Sequence, residues 1–487
     1  MSEKTAPLGS KTIKGAAWTI GTRWSSRILG LASMVVLARL LTPEDFGVVA
    51  VAASIVGLID SFTDLGVDTA LIRHPNPERK HYDTAWTFSI LIHVFAATLV
   101  AIAGYFSKTF YNDPRYEPVL YAMSVSIAMS GFGNVGFINY RRNLDFNKDF
   151  IVNFITRLTG IAVTIWLAFQ LRSYWALVFG ALTRTIMRVL LTYLFSRYRP
   201  KLSLAAYHEL IGFSFWIMVR SVAIFLTNRA DRLVLAAFFS PSILGLYTIA
   251  SELASMAVFE ILHPLGRVFL PALSKMQDDK QRLTENIKKI FNITSTLAMA
   301  AGVGLASIAE PTLNIIYGYQ YIHAAPILII LSILNLISGF NQPIGQILLV
   351  MNKAKSFALI FIFESILTLS VVYWLSVKSF DFEIILYGRL AVSVFIFIRL
   401  FYLLRIIQGI GIIDILAAWI RPIFAGGAMC ASLHYCQPFF MKFPEVLSLA
   451  LSILTGGLIY SVVLLILWFL MRKPNGFERE IISRLIK

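Results

Sequence analysis

Apolar residues run through this chain in helix-sized stretches from Ala16 to Met471, each closed by a short polar break. A helix needs about 20 apolar residues to cross the hydrocarbon of a bilayer, and backbone immersed there must satisfy its hydrogen bonds internally. The stretches therefore read as spanning helices, predicted near 16–41, 46–72, 84–106, 116–140, 150–171, 173–196 and 209–239. The series continues near 243–270, 287–309, 324–350, 355–377, 383–406, 412–436 and 444–471. The fold class that follows is an all-α integral membrane protein of about fourteen transmembrane helices.

Composition agrees, with 57% hydrophobic and only 14% charged residues. Lys and Arg collect in alternate gaps between the spans: Arg73, Arg79 and Lys80, then Arg141, Arg142 and Lys148, then Arg197, Arg199 and Lys201. The same set includes Lys4, Lys11 and Lys14 at the start and Arg472, Lys473, Arg479, Arg484 and Lys487 at the end. The opposite gaps hold little beyond Lys108, Arg115, Arg172, Lys378 and Lys442. Short cytoplasmic loops accumulate these residues, so both termini are expected in the cytoplasm. The formal charge of +16 then faces anionic headgroups, and nucleic acid is not an expected partner.

The polar stretch before Ala16 shows no cleavable signal. Cys430 and Cys436 point in different directions on one helix and are expected to be packing residues. The histidines, at positions 74, 81, 93, 208, 263, 323 and 434, have no ligand spacing, so no metal site is expected. Gly131, Gly133 and Gly136 satisfy the letter of a dinucleotide fingerprint, but inside an apolar span such residues serve close helix contact. No catalytic constellation emerges, and external loops are short, so an enzyme is not expected.

The chain repeats itself. Leu37-Ala-Arg-Leu-Leu-Thr-Pro-Glu-Asp-Phe-Gly47 aligns without gaps on Leu235-Ala-Ala-Phe-Phe-Ser-Pro-Ser-Ile-Leu-Gly245. A second match pairs Asn134 with Asn341, Lys148 with Lys355 and Phe150 with Phe357. The order predicts two pseudo-symmetric six-helix lobes, 1–200 and 201–408, followed by two further helices and a cytoplasmic tail over 409–487. Both repeats begin on the same side, so they are parallel, with their axis along the membrane normal. Between them lies a polar linker near Arg197 to Glu209, and a second polar segment, Gln277 to Lys289, is expected at the cytoplasmic interface.

Charges inside spans are the candidate chemistry, because even mild estimates put an Arg or Asp at the bilayer centre at about 2.5–3.5 kcal/mol unfavourable. Arg23 and Arg27 share one face of the first helix, and Asp60 and Asp64 share one face of the second. Counted outward to the Thr42-Pro43 turn, Arg27 matches Asp60 in depth and Arg23 matches Asp64. They form either an ion-pair ladder or a ligand site in which the cations hold an anion and the carboxylates respond to a coupling ion. Arg220 falls one residue from the position repeating Arg23, with Arg229, Asp231 and Arg232 farther along and Glu252 and Glu260 on the next helix. Arg157, Arg184 and Arg188 add basic character to the first lobe, while Glu364 and Arg389 sit within spans of the second. Cations outnumber carboxylates across this interior, so the expected ligand is an anion. Pro264 and Pro343 lie within spans as possible bends.

The stretch ARLLTPEDFGVVAVAASIVGLIDSFTDLGVDTALIR, with FLPALSKMQDD downstream, resembles the polysaccharide-exporter branch of the multidrug/oligosaccharidyl-lipid/polysaccharide transporter superfamily, close to Wzx-type flippases and the colanic acid exporter. The resemblance covers nearly the whole chain. It implies a bacterial inner-membrane protein that moves undecaprenyl-pyrophosphate-linked oligosaccharide from the cytoplasmic to the periplasmic leaflet by alternating access, in contact with membrane lipids and with polymerase and export machinery as further partners. Arg23, Arg27, Arg220, Arg184 and Arg188 are then the candidate substrate-binding residues. Asp60, Asp64, Glu252, Glu260 and Glu364 are candidates for ion pairing or for coupling to a proton or sodium ion, with no cofactor. A drug or metabolite cation antiporter of the same superfamily typically has twelve spans and a cavity suited to cations. A membrane-bound polysaccharide polymerase or ligase needs a structured aqueous loop that is missing here, and a purely structural scaffold leaves the buried charges without a role.

Overall fold

A computed structural model describes residues 8–63, 66–211, 214–276, 279–351, 353–409 and 411–471. Helices occupy every predicted span, and no strand occurs among the described residues. In chain order they are α1 Leu8–Leu40, α2 Pro43–Thr63, α3 Val67–Arg73, α4 Arg79–Tyr111, α5 Tyr116–Ser130, α6 Ile138–Arg142, α7 Phe146–Leu171, α8 Trp175–Phe195, α9 Tyr207–Ile211, α10 Ser214–Asn228 and α11 Ala230–Ala236. There follow α12 Pro241–Ser274, α13 Lys280–Ser307, α14 Ala309–Tyr317, α15 Ala325–Val350, α16 Ala354–Val377, α17 Phe382–Gln408, α18 Ile412–Phe440 and α19 Glu445–Leu470.

Ten of these elements are long and apolar enough to cross a membrane, and α5 with the segment Val135–Arg142 adds an eleventh, bent by 62°. Many large apolar side chains stand on the outer surface. Phe110 and Leu194 are each 76% exposed and Leu470 is 74% exposed, surface that lipid tolerates and water does not. The chain is a multi-pass membrane protein.

Local sequence sets the breaks. At the α1–α2 turn the Thr42 backbone N–H and hydroxyl donate to Asp45 Oδ2 at 2.9 and 2.8 Å, the Asp45 N–H returns a bond of 3.3 Å to Thr42 Oγ1, and Pro43 opens α2 where no N–H is needed. Asp45 Oδ1 also accepts from the Tyr174 N–H at 2.8 Å, tying this turn to the entry of α8. Pro241 opens α12 in the same way. The Asp279 side chain caps α13 by accepting from the Arg282 N–H at 3.0 Å, so the charged stretch after Lys280 forms the first turns of that long helix. Gly409 ends α17 in the left-handed conformation, φ 71°.

Two compact units divide the chain, residues 1–245 and 246–487. In the first, α1 lies along α7, α7 on α8, α4 on α5, and α2 packs against α4, α5, α10 and α11. Because α10 and α11 pack on α2, this unit runs past the polar linker to Gly245. Leu37 and Leu41 at the end of α1 bury themselves against Ala168 and Ala176. In the second unit α13 packs on α15 and α18, α17 on α15 and α16, and α19 on α18. A core of Leu262, Ala298, Phe340, Met429 and Leu464 joins α12, α13, α15, α18 and α19, and the Tyr460 hydroxyl donates to the Thr296 carbonyl at 2.7 Å. The two terminal helices are thus integral to the second core.

Candidate functional site: a cluster of arginines in the first unit

Three helices bring guanidinium groups together, and missing side chains allow it. Along α1 the Trp18 ring lies 5.1 Å from that of Phe150 on α7. About three turns farther along α1, a Cβ at Gly30 would lie 2.6 Å from Arg157 Nη2, so any side chain there would have to displace this guanidinium. On the other flank of α7, Gly160 and Gly180 permit close approach of α8: a Cβ at Gly160 would lie 3.2 Å from the Gly180 carbonyl, and Thr164, which donates to the Gly160 carbonyl at 2.8 Å, fills the space over Gly180. The same crossing sets Arg184 Cβ 3.0 Å from where a Gly160 Cβ would be.

The outcome is a chain of like charges. Arg157 stands within electrostatic reach of both Arg27 and Arg184, and Arg184 within reach of Arg188. Arg23 is one turn from Arg27 on α1; both are half-buried, as is Arg157, while Arg184 and Arg188 are exposed. Among the described residues no carboxylate pairs with Arg157, Arg184 or Arg188, and Arg157 Nε is buried without a hydrogen-bond partner. Each such charge costs about 2.5–3.5 kcal/mol in a membrane interior, large beside the roughly 5–15 kcal/mol that holds a domain folded. A multivalent anion would relieve desolvation and mutual repulsion together.

The structure gathers Arg27, Arg184 and Arg188 of the predicted substrate residues and puts Arg157, which the sequence showed only as added basic character, at their centre. Asp64 and the side chain of Arg220 lie outside the described residues. Asp60 is exposed near the end of α2. In the second unit Glu252 is half-buried near the Tyr317 phenol, Glu260 is half-buried on the same helix, and half-buried Glu364 on α16 faces Arg389 on α17. Arg389 Nη1 donates to the Tyr247 hydroxyl, and the Tyr247 ring sits 5.7 Å from that of Phe382. Arg421 on α18, 3% exposed, is a further buried cation that the sequence reading did not single out.

Two of the histidines that look scattered in sequence meet near the polar linker. The His74 and His81 rings lie 4.4 Å apart, and both approach Glu209 Oε2, His81 Nε2 at 3.0 Å and His74 Nε2 at 3.7 Å. The donor set is one a metal could use, yet the Glu78 backbone N–H donates to His81 Nδ1 at 2.8 Å. That bond places the imidazole proton on Nε2, which therefore donates to Glu209 and has no lone pair to offer a metal. The group is a hydrogen-bonded clasp on the linker. His81 bonding holds the Glu209 carboxyl below its ordinary range, against a smaller desolvation effect, with Lys80 and His74 assisting. Farther back the linker is stitched to α4: Asp83 Oδ1 accepts from the Tyr198 hydroxyl and, at 2.7 Å, from the Lys201 N–H, while Thr87 and Thr84 accept from the N–H groups of Ser203 and Ala206 at 2.9 and 3.1 Å. Asn134, at the bend of the α5 span, donates to the Tyr198 carbonyl at 2.7 Å.

Known proteins similar to this chain agree with this architecture. The lipopolysaccharide biosynthesis protein WzxC of Escherichia coli K12 is 24% identical over 92% of this chain and 89% of its own. The succinoglycan biosynthesis transport protein ExoT of Rhizobium meliloti is 25% identical over 68% of this chain and 67% of its own. Among solved structures, the lipid II flippase MurJ in an inward closed conformation matches with a TM-score of 0.70 at 14% identity, covering 94% of this chain and 99% of that one. An inward-facing multidrug-resistance MATE transporter gives 0.63 at 12% identity, over 79% and 94%. Both likenesses show a transporter fold. A family model described as polysaccharide biosynthesis protein matches residues 36–326, more than half of the chain, and the chain belongs to that family, within the polysaccharide-exporter branch of the multidrug/oligosaccharidyl-lipid/polysaccharide superfamily.

Proposed function

We propose that this protein is a lipid-linked oligosaccharide flippase, which carries undecaprenyl-pyrophosphate-linked repeat units from the cytoplasmic to the periplasmic leaflet of a bacterial inner membrane. The observation that carries the reading is the Arg27, Arg157, Arg184 and Arg188 cluster, whose last three members lack a carboxylate partner among the described residues. An ionised headgroup taken unpaired into hydrocarbon costs tens of kcal/mol on an idealised estimate. Guanidinium groups at membrane depth remove most of that cost by charge-assisted hydrogen bonds to phosphate oxygens, while the polyprenyl tail stays in lipid. The protein moves its cargo without changing a covalent bond and so is not an enzyme.

On this reading the fourteen spans form two parallel six-helix lobes, 1–200 and 201–408, with two helices after them and both termini in the cytoplasm. Arg23, and Arg220 from the repeated position, extend the cationic route. Exchange between inward- and outward-open states needs a bias, which only differential affinity supplies. Asp60, Asp64, Glu252, Glu260 and Glu364 are the groups through which a proton or sodium ion would act. Polymerase and export machinery are the partners that receive the product. A cation antiporter is disfavoured, because an arginine cluster repels the ligand such a protein collects.

The test is the leaflet distribution of lipid-linked repeat units in cells lacking the protein. Accumulation on the inner leaflet, reversed by the wild-type gene and not by an Arg157→Ala, Arg184→Ala double variant made at normal levels, is expected. Normal outward transfer in the deletion would overturn the assignment.

A further inference from the structure

The stretch Lys14 to Ser26 of α1, with the turn into α7 and its first residues, lines two adjoining open clefts of about 380 and 250 Å³ that share Phe146 in their walls. Taken together they are on the scale of a small-molecule site, roughly 300–1,000 Å³. The larger cavity, which no arginine lines, differs in kind from the arginine cluster. Trp18 presents a ring that is 41% exposed and braced from behind by Phe150 at 5.1 Å between centroids. The Thr19 and Thr22 hydroxyl protons are committed to the Gly15 and Trp18 carbonyls, at 2.8 and 2.9 Å, which leaves only oxygen lone pairs for a ligand. Asn147 Oδ1 is buried without any donor, and the Asp145 carboxyl lines the same wall.

An aromatic face with acceptors beside it, and Lys14 and Arg23 as the charged donors, suits a ligand that supplies both hydrogen-bond donors and acceptors and an apolar C–H face. Phosphate, which brings only acceptors, is a poor match for the larger cavity with its Trp18 face, Asp145 and Asn147; a sugar ring with its hydroxyl groups is a good one. Arg23 lines the inner cavity, and Arg27 lies one turn beyond it, about 6 Å along the helix axis. We infer that these cavities form a glycan subsite, in which Trp18, Thr22 and Asn147 hold sugar residues while the arginine cluster holds the attached pyrophosphate. The inference rests on the flippase reading and adds what recognises the carbohydrate portion. Stacking and hydroxyl contacts there give the protein a means to distinguish a finished glycan from the bare carrier.

The experiment compares two probes on the full-length protein in lipid nanodiscs: undecaprenyl pyrophosphate, and the lipid-linked repeat unit extracted from the producing strain. The wild type is expected to bind the glycan-bearing lipid more tightly. Trp18→Ala should weaken that lipid about tenfold, Trp18→Phe should recover most of the loss, and the bare carrier should bind all three alike. Should Trp18→Ala fail to fold, Asn147→Ala and Thr22→Val, which leave the aromatic platform in place, carry the same comparison. Equal loss for both probes, or no loss for the glycan-bearing lipid, overturns the subsite. A wild type that binds neither lipid sinks the flippase reading itself, and one that binds both equally sinks the subsite alone.

Discussion

Gly47 and Gly245 meet backbone to backbone: a Cβ at Gly245 would lie 3.1 Å from the Gly47 nitrogen, with the Pro43 carbonyl closer still, and a Cβ at Gly47 would overlap the Pro241 carbonyl. The two positions are equivalent in the internal repeat, so the contact is reciprocal. Each Pro-initiated turn presents its carbonyl to the glycine of the other.

A side chain at either glycine has no space and no flexible neighbour to displace. Gly47→Ala and Gly245→Ala should each destabilise the protein by about 1–3 kcal/mol through overpacking, read as a lower midpoint of thermal unfolding in detergent. The double variant should fall short of the sum, because the first substitution already parts the turns. Two strictly additive losses would show that the turns respond independently.

Arg157 separates a structural from a functional role for the cluster. If these cations hold the fold, Arg157→Gln lowers stability; if they wait for an anion, it relieves repulsion. We expect unchanged or higher thermal stability and export reduced tenfold or more, since a charged hydrogen bond is worth about 1.5–3 kcal/mol. Arg157→Lys should restore the charge but little of the transport, because one ammonium group cannot reproduce a planar fork.

The Glu209 clasp makes its contribution depend on pH in a defined direction. Its folded value is depressed below the ordinary 4.5, so the contribution is complete above that value and is lost as pH falls through the depressed one. Hydrogen exchange of the Tyr207–Ile211 amides should therefore accelerate on acidification in the wild type. Glu209→Gln should show fast exchange at neutral pH and lose the acid dependence.

Asp83 is the anchor of the linker, 7% exposed, with Tyr198, Lys201 and Arg79 all turned toward it. Asp83→Ala leaves the Tyr198 hydroxyl and the Lys201 N–H without their acceptor. A loss of about 3 kcal/mol is expected, with Asp83→Asn recovering part of it because one carbonyl oxygen can still accept. Limited proteolysis near residue 200 gives an independent readout.

What the sequence discloses here follows what is local. The Thr42-Pro43 and Ser240-Pro241 turns were legible because proline and glycine act within a few residues, and helices do occupy all the predicted spans. The shared face of Arg23 and Arg27 was legible from helical spacing. The approach of Arg27 to Arg157 was not: Arg157 comes from far along the chain, and its guanidinium lies opposite Gly30, a residue with no chemistry of its own. His81 and Glu209 illustrate the same limit, because their bond spans 128 positions and neither residue carries a spacing signal. Asn134 matched Asn341 in the repeat, but only the fold reveals that it secures the Tyr198 carbonyl beside a 62° bend.

The stitched passage from Ser196 to Ala206 behaves as a splint and not a leash. The N–H groups of Lys201, Ser203 and Ala206 are already committed to α4, so a displacement of α4 is handed on mechanically to α9. Reporter insertions or affinity tags placed in this connection would tear out those seams.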